Sequence, residues 1–111
     1  MRDAFTGVVL DTVVKYVPLN VINHNVRAIL GWVDGTTAAT VILEFTDDAD
    51  APLLTAGELW QWADSGVSIT NPAGAGAGAS LVTSSAAHAR ARLKITATAD
   101  CDFAIWDGIR L

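Results

Sequence analysis

The 111-residue sequence has little charge and a single cysteine. Charged residues make up 17% of the chain, against about 25% in typical soluble domains. One cysteine, Cys101, rules out an internal disulfide and fits synthesis in a reducing compartment. Seven basic against twelve acidic residues give a net charge of −5. An acidic surface repels phosphate backbones, which argues against nucleic acid as a partner.

Long apolar runs are also missing. No stretch approaches the roughly 20 residues that a bilayer-spanning helix needs. The first residues, Met1–Gly7, contain no continuous apolar segment of signal-peptide length. We therefore expect a soluble protein that has no membrane partner.

No catalytic or cofactor motif can be recognised. The only histidines, His24 and His88, have no metal-ligand spacing, and no glycine-rich phosphate-binding motif occurs. Asp47, Asp48 and Asp50 could supply oxygen ligands for calcium, but their spacing misses the EF-hand pattern, so we interpret them as a solvated acidic turn. The sequence predicts neither an enzyme nor a cofactor.

The chain does contain clear two-residue periodicity, best seen over Arg90–Thr98. Alternate residues of an extended strand face opposite sides. One side carries Ala91, Leu93, Ile95 and Ala97. The other carries Arg90, Arg92 and Lys94, which we interpret as a solvated sheet face. The alternative is that these three cations form a docking patch for an acidic partner.

Short segments of similar character recur along the chain, separated by Gly, Asn, Asp and Pro. They are Val13–Val17, Val26–Val33, Thr36–Thr46, Val67–Thr70, Leu81–Ser84 and Cys101–Trp106. Pro18 is expected to end the first, and Asp34-Gly35 predicts a tight hairpin between the second and third. The pattern indicates an all-β fold, an antiparallel β-sandwich or jelly roll of seven or eight short strands. It would occupy residues 12–111, with residues 1–11 as a possible N-terminal arm.

Two segments remain ambiguous. Glu58–Asp64 reads as a strand or, from the capping-box pattern that starts at Thr55, as a short helix. If extended, it places Trp60 and Trp62 on one face, as part of the core, as a subunit interface or as a platform for sugar rings. The low-complexity run Ala73–Ser80 is expected to form a mobile surface loop. The alternative is a loop or arm that becomes ordered only against a neighbouring subunit.

The order of these features resembles the small β-sandwich virion proteins of tailed bacteriophages, including capsid decoration (cement) proteins. The resemblance rests on the strand Thr40–Thr46 followed by Asp47–Asp50, the tryptophan-bearing segment, the Gly-Ala-Ser loop and Ala89–Ala97. It covers roughly Val26 to Trp106 and includes no invariant motif.

The resemblance implies a homotrimer on the outer surface of a virion, bound to the major capsid protein and stabilising the shell. The low charge and the mean hydropathy of +0.37 are compatible with burial between subunits. Two alternatives stay open: a carbohydrate- or receptor-binding module that uses Trp60 and Trp62, and a tail or head-fibre component.

Overall fold

A computed structural model describes residues 2–10, 13–21, 25–32, 39–71, 78–85, 89–97 and 100–107. These ranges contain eight β-strands. They are β1 (Arg2–Val9), β2 (Lys15–Leu19), β3 (Asn25–Trp32), β4 (Ala39–Thr46), β5 (Ala63–Asn71), β6 (Gly78–Ser85), β7 (Arg90–Ala97) and β8 (Cys101–Asp107).

The strands form two four-stranded sheets in which every pairing is antiparallel. The first sheet has the order β1-β8-β3-β6, and the second has the order β2-β7-β4-β5. Successive strands therefore alternate between the sheets, except for the β4–β5 hairpin. This is the two-sheet, eight-strand arrangement of a jelly roll, and the fold predicted from the sequence is confirmed.

The apolar alternation positions the core between the two sheets. In β7 the inward residues Ala91, Leu93 and Ile95 are at most 1% exposed. The same period holds in the strands that pack opposite, where buried side chains alternate with outward ones. The other core members include Val26, Ala28, Leu30, Val41, Leu43, Phe103 and Ile105. Because side chains alternate along a strand, one face of each strand turns toward this core.

The prediction of a hairpin at Asp34-Gly35 is wrong. These two residues lie outside the described ranges, but the strands on either side belong to different sheets: β3 pairs with β6 and β8, whereas β4 pairs with β5 and β7. The connection therefore crosses between the layers. The Asp-Gly pair favours a hairpin locally. Burial of the apolar faces of β3 and β4 against each other instead puts these strands in different sheets.

Both expectations for the N-terminal part of the chain are also corrected. Most of the possible N-terminal arm predicted over residues 1–11 forms β1, which pairs with β8 from Arg2 to Val9 and occupies an edge of the first sheet. Pro18 does not end its strand, because β2 continues to Leu19. Since β2 is an edge strand, the ring nitrogen of proline, which has no N–H to donate, can face away from the sheet.

The low-complexity run contributes to the fold at its end. Gly78, Ala79 and Ser80 begin β6 and pair with β3, so they are not part of a loop; residues 72–77 lie outside the described ranges. A Cβ atom on Gly78 would lie 2.7 Å from Cζ2 of Trp32. Glycine is required at this position because the indole of Trp32 occupies the space of a side chain.

Candidate interaction surfaces

Arg92 is the centre of a buried polar cluster on the outer side of the second sheet. It is only 1% exposed, and its Nε donates to Oε1 of Glu44, its neighbour across the β4–β7 ladder, at 2.8 Å. The guanidinium lies between two aromatic rings, 4.0 Å from the centroid of Tyr16 and 4.1 Å from that of Trp62. The buried charge is thus neutralised, hydrogen-bonded and stacked.

The cover over this cluster is the long connection between β4 and β5, residues 47–62. Nη1 of Arg92 donates to the carbonyl oxygens of Pro52, Leu53 and Thr55 at 2.9, 3.2 and 2.6 Å. The indole Nε1 of Trp62 also donates to the Pro52 oxygen at 2.8 Å. The middle of the connection is therefore attached to the sheet through its own backbone.

Arg90 fixes the first part of the same connection. Its Nη1 lies 3.1, 2.9 and 2.8 Å from the carbonyl oxygens of Asp48, Ala49 and Ala51. Charge-assisted bonds of this type are stronger than neutral ones. The two arginines together hold six carbonyl groups, and residues 47–62 form a compact loop of the Ω type.

The prediction of a solvated face with Arg90, Arg92 and Lys94 is wrong for Arg92. Periodicity places it correctly on the outer side of β7, but the chain's own loop covers that side. Arg92 is not accessible to a docking partner, and Arg90 is half-buried against the loop. Lys94 is half-buried, and its part in a docking patch stays a prediction.

The predicted platform of Trp60 and Trp62 is not formed, because Glu58–Asp64 is neither a strand nor a helix before Ala63. The chain turns instead, with the amide N of Gln61 donating to the carbonyl oxygen of Glu58 at 3.0 Å. Consequently Trp62 points toward the sheet, where it stacks on Arg92 and is 8% exposed. Trp60 points toward solvent and is 73% exposed. The two indoles have separate environments.

Trp60 lies beside a shallow groove of about 260 Å³. Its walls come from the end of β4 and from both ends of the loop. The lining residues are Phe45, Thr46, Asp47, Asp48, Trp60, Gln61 and Ala63. Sequence periodicity pairs Trp60 with Trp62 and gives no signal for this grouping, which depends on the turn at residues 58–61.

The outer side of the first sheet is a second candidate surface. Leu81, Ile29 and Trp106 are direct cross-strand neighbours on β6, β3 and β8, and they are 60%, 37% and 39% exposed. We call these three side chains the apolar row. The adjacent row is made of small residues, namely Ala79, Gly31, Ala104 and Thr6.

Charge on this side is confined to the margin of the apolar row. Among the residues with described side chains, Asp3, Arg27 and Asp102 are the charged ones that face outward here. No segment of the described chain covers the row. Its residues are therefore available for contact with another molecule.

The two sheets and their surfaces define an antiparallel jelly roll in which the loop of residues 47–62 covers part of one outer face and no described segment covers the other. No protein-family model, curated protein or solved structure matches the chain. Within the described ranges, no cluster of three or more His, Cys, Asp or Glu residues could hold a metal ion. No helix in the same ranges is long and apolar enough to cross a membrane.

Proposed function

We propose that this protein is a self-associating structural component of a phage particle, of the capsid decoration type. The observation that carries the proposal is the apolar row of Leu81, Ile29 and Trp106 on the open side of the first sheet. Jelly rolls are common in capsid and lectin domains. Because one fold serves many functions, this surface, and not the fold, supports the proposal.

The row has the properties of the centre of a subunit contact. Its side chains are large and adjacent, and the neighbouring row of small residues lets another surface approach the sheet closely. Exposed apolar patches rimmed by polar groups mark sites of association, and interface centres are depleted in charge. In a closed trimer the row of each copy would pack against a different surface of the next copy.

A decoration role requires shape and valency. Many copies on a lattice each need only weak affinity, because simultaneous contacts raise the effective concentration. The loop of residues 47–62, held by Arg90 and Arg92, gives each copy a fixed shape on the opposite side. A homotrimer would expose three such loops to a major capsid protein.

Self-association is tested by sedimentation velocity of the full chain and of Leu81→Glu. We expect the wild type to sediment as a trimer and the variant as a monomer, because a carboxylate in the row cannot be desolvated without a partner. Thr40→Glu is the matched control, since Thr40 is exposed on the outer side of the second sheet. It should remain a trimer.

A wild type that is monomeric at every accessible concentration would contradict this role, as would a Leu81→Glu variant with unchanged assembly. The capsid assignment needs a separate test, in which the purified chain is mixed with capsids encoded by the same genome. Cosedimentation that Leu81→Glu weakens supports decoration. Binding to tails or fibres, and not to capsids, would replace decoration with a tail or head-fibre role.

A further inference from the structure

We propose that the groove beside Trp60 binds a neutral saccharide ring. The groove lies on the second sheet, away from the apolar row. Saccharide binding in the groove therefore does not depend on self-association. At about 260 Å³, it is slightly smaller than the roughly 300–1,000 Å³ of sites for drug-sized ligands. Its size suits one or two sugar rings.

Trp60 provides the apolar wall of the site. Its indole is 73% exposed although it lies in a turn that two hydrogen bonds between Glu58 and Gln61 close. Its exposure is therefore a property of the folded loop, and little ordering is needed when a ligand binds. The negative face of an aromatic ring attracts C–H groups, which one face of a pyranose presents.

Asp48 and Gln61 provide the polar wall. Oδ2 of Asp48 accepts from Nε2 of Gln61 at 3.1 Å, and Oδ1 accepts from the amide N of Asp50 at 2.8 Å. Gln61 is fixed in turn, because its Oε1 accepts from the amide N of Glu58 at 2.8 Å. A carboxylate oxygen has two lone pairs, so each oxygen of Asp48 can also accept from a sugar hydroxyl.

Two carboxylates, those of Asp47 and Asp48, line the groove, and an organic cation is therefore the competing ligand. Nη1 of Arg90 lies 3.1 Å from the carbonyl oxygen of Asp48 and 2.9 Å from that of Ala49. This guanidinium offsets part of that negative charge. A fixed acceptor beside an exposed indole then matches a ring that has hydroxyl groups and an apolar face.

Saturation-transfer difference NMR on the full chain tests the site with glucose, galactose, mannose and N-acetylglucosamine, and with choline as the cation. We expect at least one sugar to bind, with its ring C–H protons receiving most of the saturation. Trp60→Ala should weaken that binding by roughly tenfold, and Trp60→Tyr should retain it within roughly threefold, because a tyrosine ring also stacks.

Trp106→Ala is the matched control, because Trp106 is an exposed indole on the other sheet, and it should leave binding unchanged. Binding should also persist in 0.5 M salt (about 4–5 Å screening length), which weakens exposed charge pairs. The proposal is overturned if no sugar binds, if only choline binds, or if Trp60→Ala binds as well as the wild type. Leu81→Glu, the variant from the assembly test, should bind the sugar normally, which separates the two proposals.

Discussion

The outer faces of the two sheets reverse the usual distribution of polar and apolar residues. On the second sheet the outward residues include Arg90, Arg92 and Glu44, yet Arg92 is 1% exposed because a loop of the chain covers it. On the first sheet the outward residues include Leu81 and Trp106, which are 60% and 39% exposed. Polarity along a strand therefore indicates which residues share a face, whereas the rest of the chain decides whether that face meets water.

The reason lies in what each face can bind within the same chain. An arginine presents several donors in a fixed plane and stacks on aromatic rings, so it can organise a loop through backbone carbonyls. A row of Leu, Ile and Trp has a single donor, the indole N–H of Trp106, and so cannot hold a polar loop through many carbonyl groups. It instead gains from another apolar surface, which the described part of the chain does not provide.

Substitutions on the covered face should lower the free energy of unfolding more than substitutions on the open face. The largest loss is expected for Arg92→Met. The substitution removes three bonds to the loop and leaves Glu44 without its cation. Removing one partner of a buried ion pair costs about 3–5 kcal/mol. Urea denaturation should show this loss of unfolding free energy, and limited proteolysis should show faster cleavage within residues 47–62.

Two controls define the origin of that effect. Lys94→Met lies two residues away on the same side of β7 and should change stability by less than about 0.5 kcal/mol. Arg92→Met combined with Glu44→Met should recover part of the loss, because an apolar pair leaves no buried charge unpaired. A fully stable Arg92→Met protein would show that the loop does not depend on this arginine.

A second prediction compares the inner and outer sides of β6 at two neighbouring residues. Gly78→Ala should destabilise the fold by about 1–3 kcal/mol, because its Cβ would lie 2.7 Å from Cζ2 of Trp32. Ala79→Val is the control on the outer side, where Ala79 is exposed, and should be nearly neutral in dilute protein, before copies of the chain associate. Thermal unfolding measures both. Equal losses would mean that the outer side is packed as tightly as the inner one.

The smallest effect is expected for Ile29→Thr, at the centre of the open face. Both residues are β-branched and suit a strand, and Ile29 is 37% exposed. In dilute protein the free energy of unfolding should fall by less than about 1 kcal/mol. At high concentration a larger difference should develop, because assembly stabilises only the form that associates. A large loss in dilute protein would mean that the row is packed within a single chain.

Much of the fold could be predicted from the sequence, because two-residue periodicity is a local property. The inward sets of β3, β4 and β7 are those that the alternation indicates, and all of their apolar members are at most 8% exposed. The pairing of strands was less predictable. Asp34-Gly35 favours a hairpin locally, but the burial of two apolar faces against each other puts β3 and β4 in different sheets.

The candidate sites were predicted only in part. The sequence places Trp60 and Trp62 on one face if their segment is extended, but the turn at residues 58–61 sends their side chains in opposite directions. The apolar row could not be found from the sequence, because its three members are on β3, β6 and β8. Only the register of these strands brings Ile29 next to Leu81 and Trp106.

By itself the sequence determined that this protein is all-β and which side of each strand is apolar, since both follow from the geometry of an extended backbone. Only the tertiary structure decided which outer face is closed and which is open. That outcome depends on contacts between residues far apart in the chain, above all the bonds of Arg92 to Pro52, Leu53 and Thr55. Those bonds bury the charged side chain of Arg92 beneath the loop, whereas the apolar row of the first sheet stays at the surface.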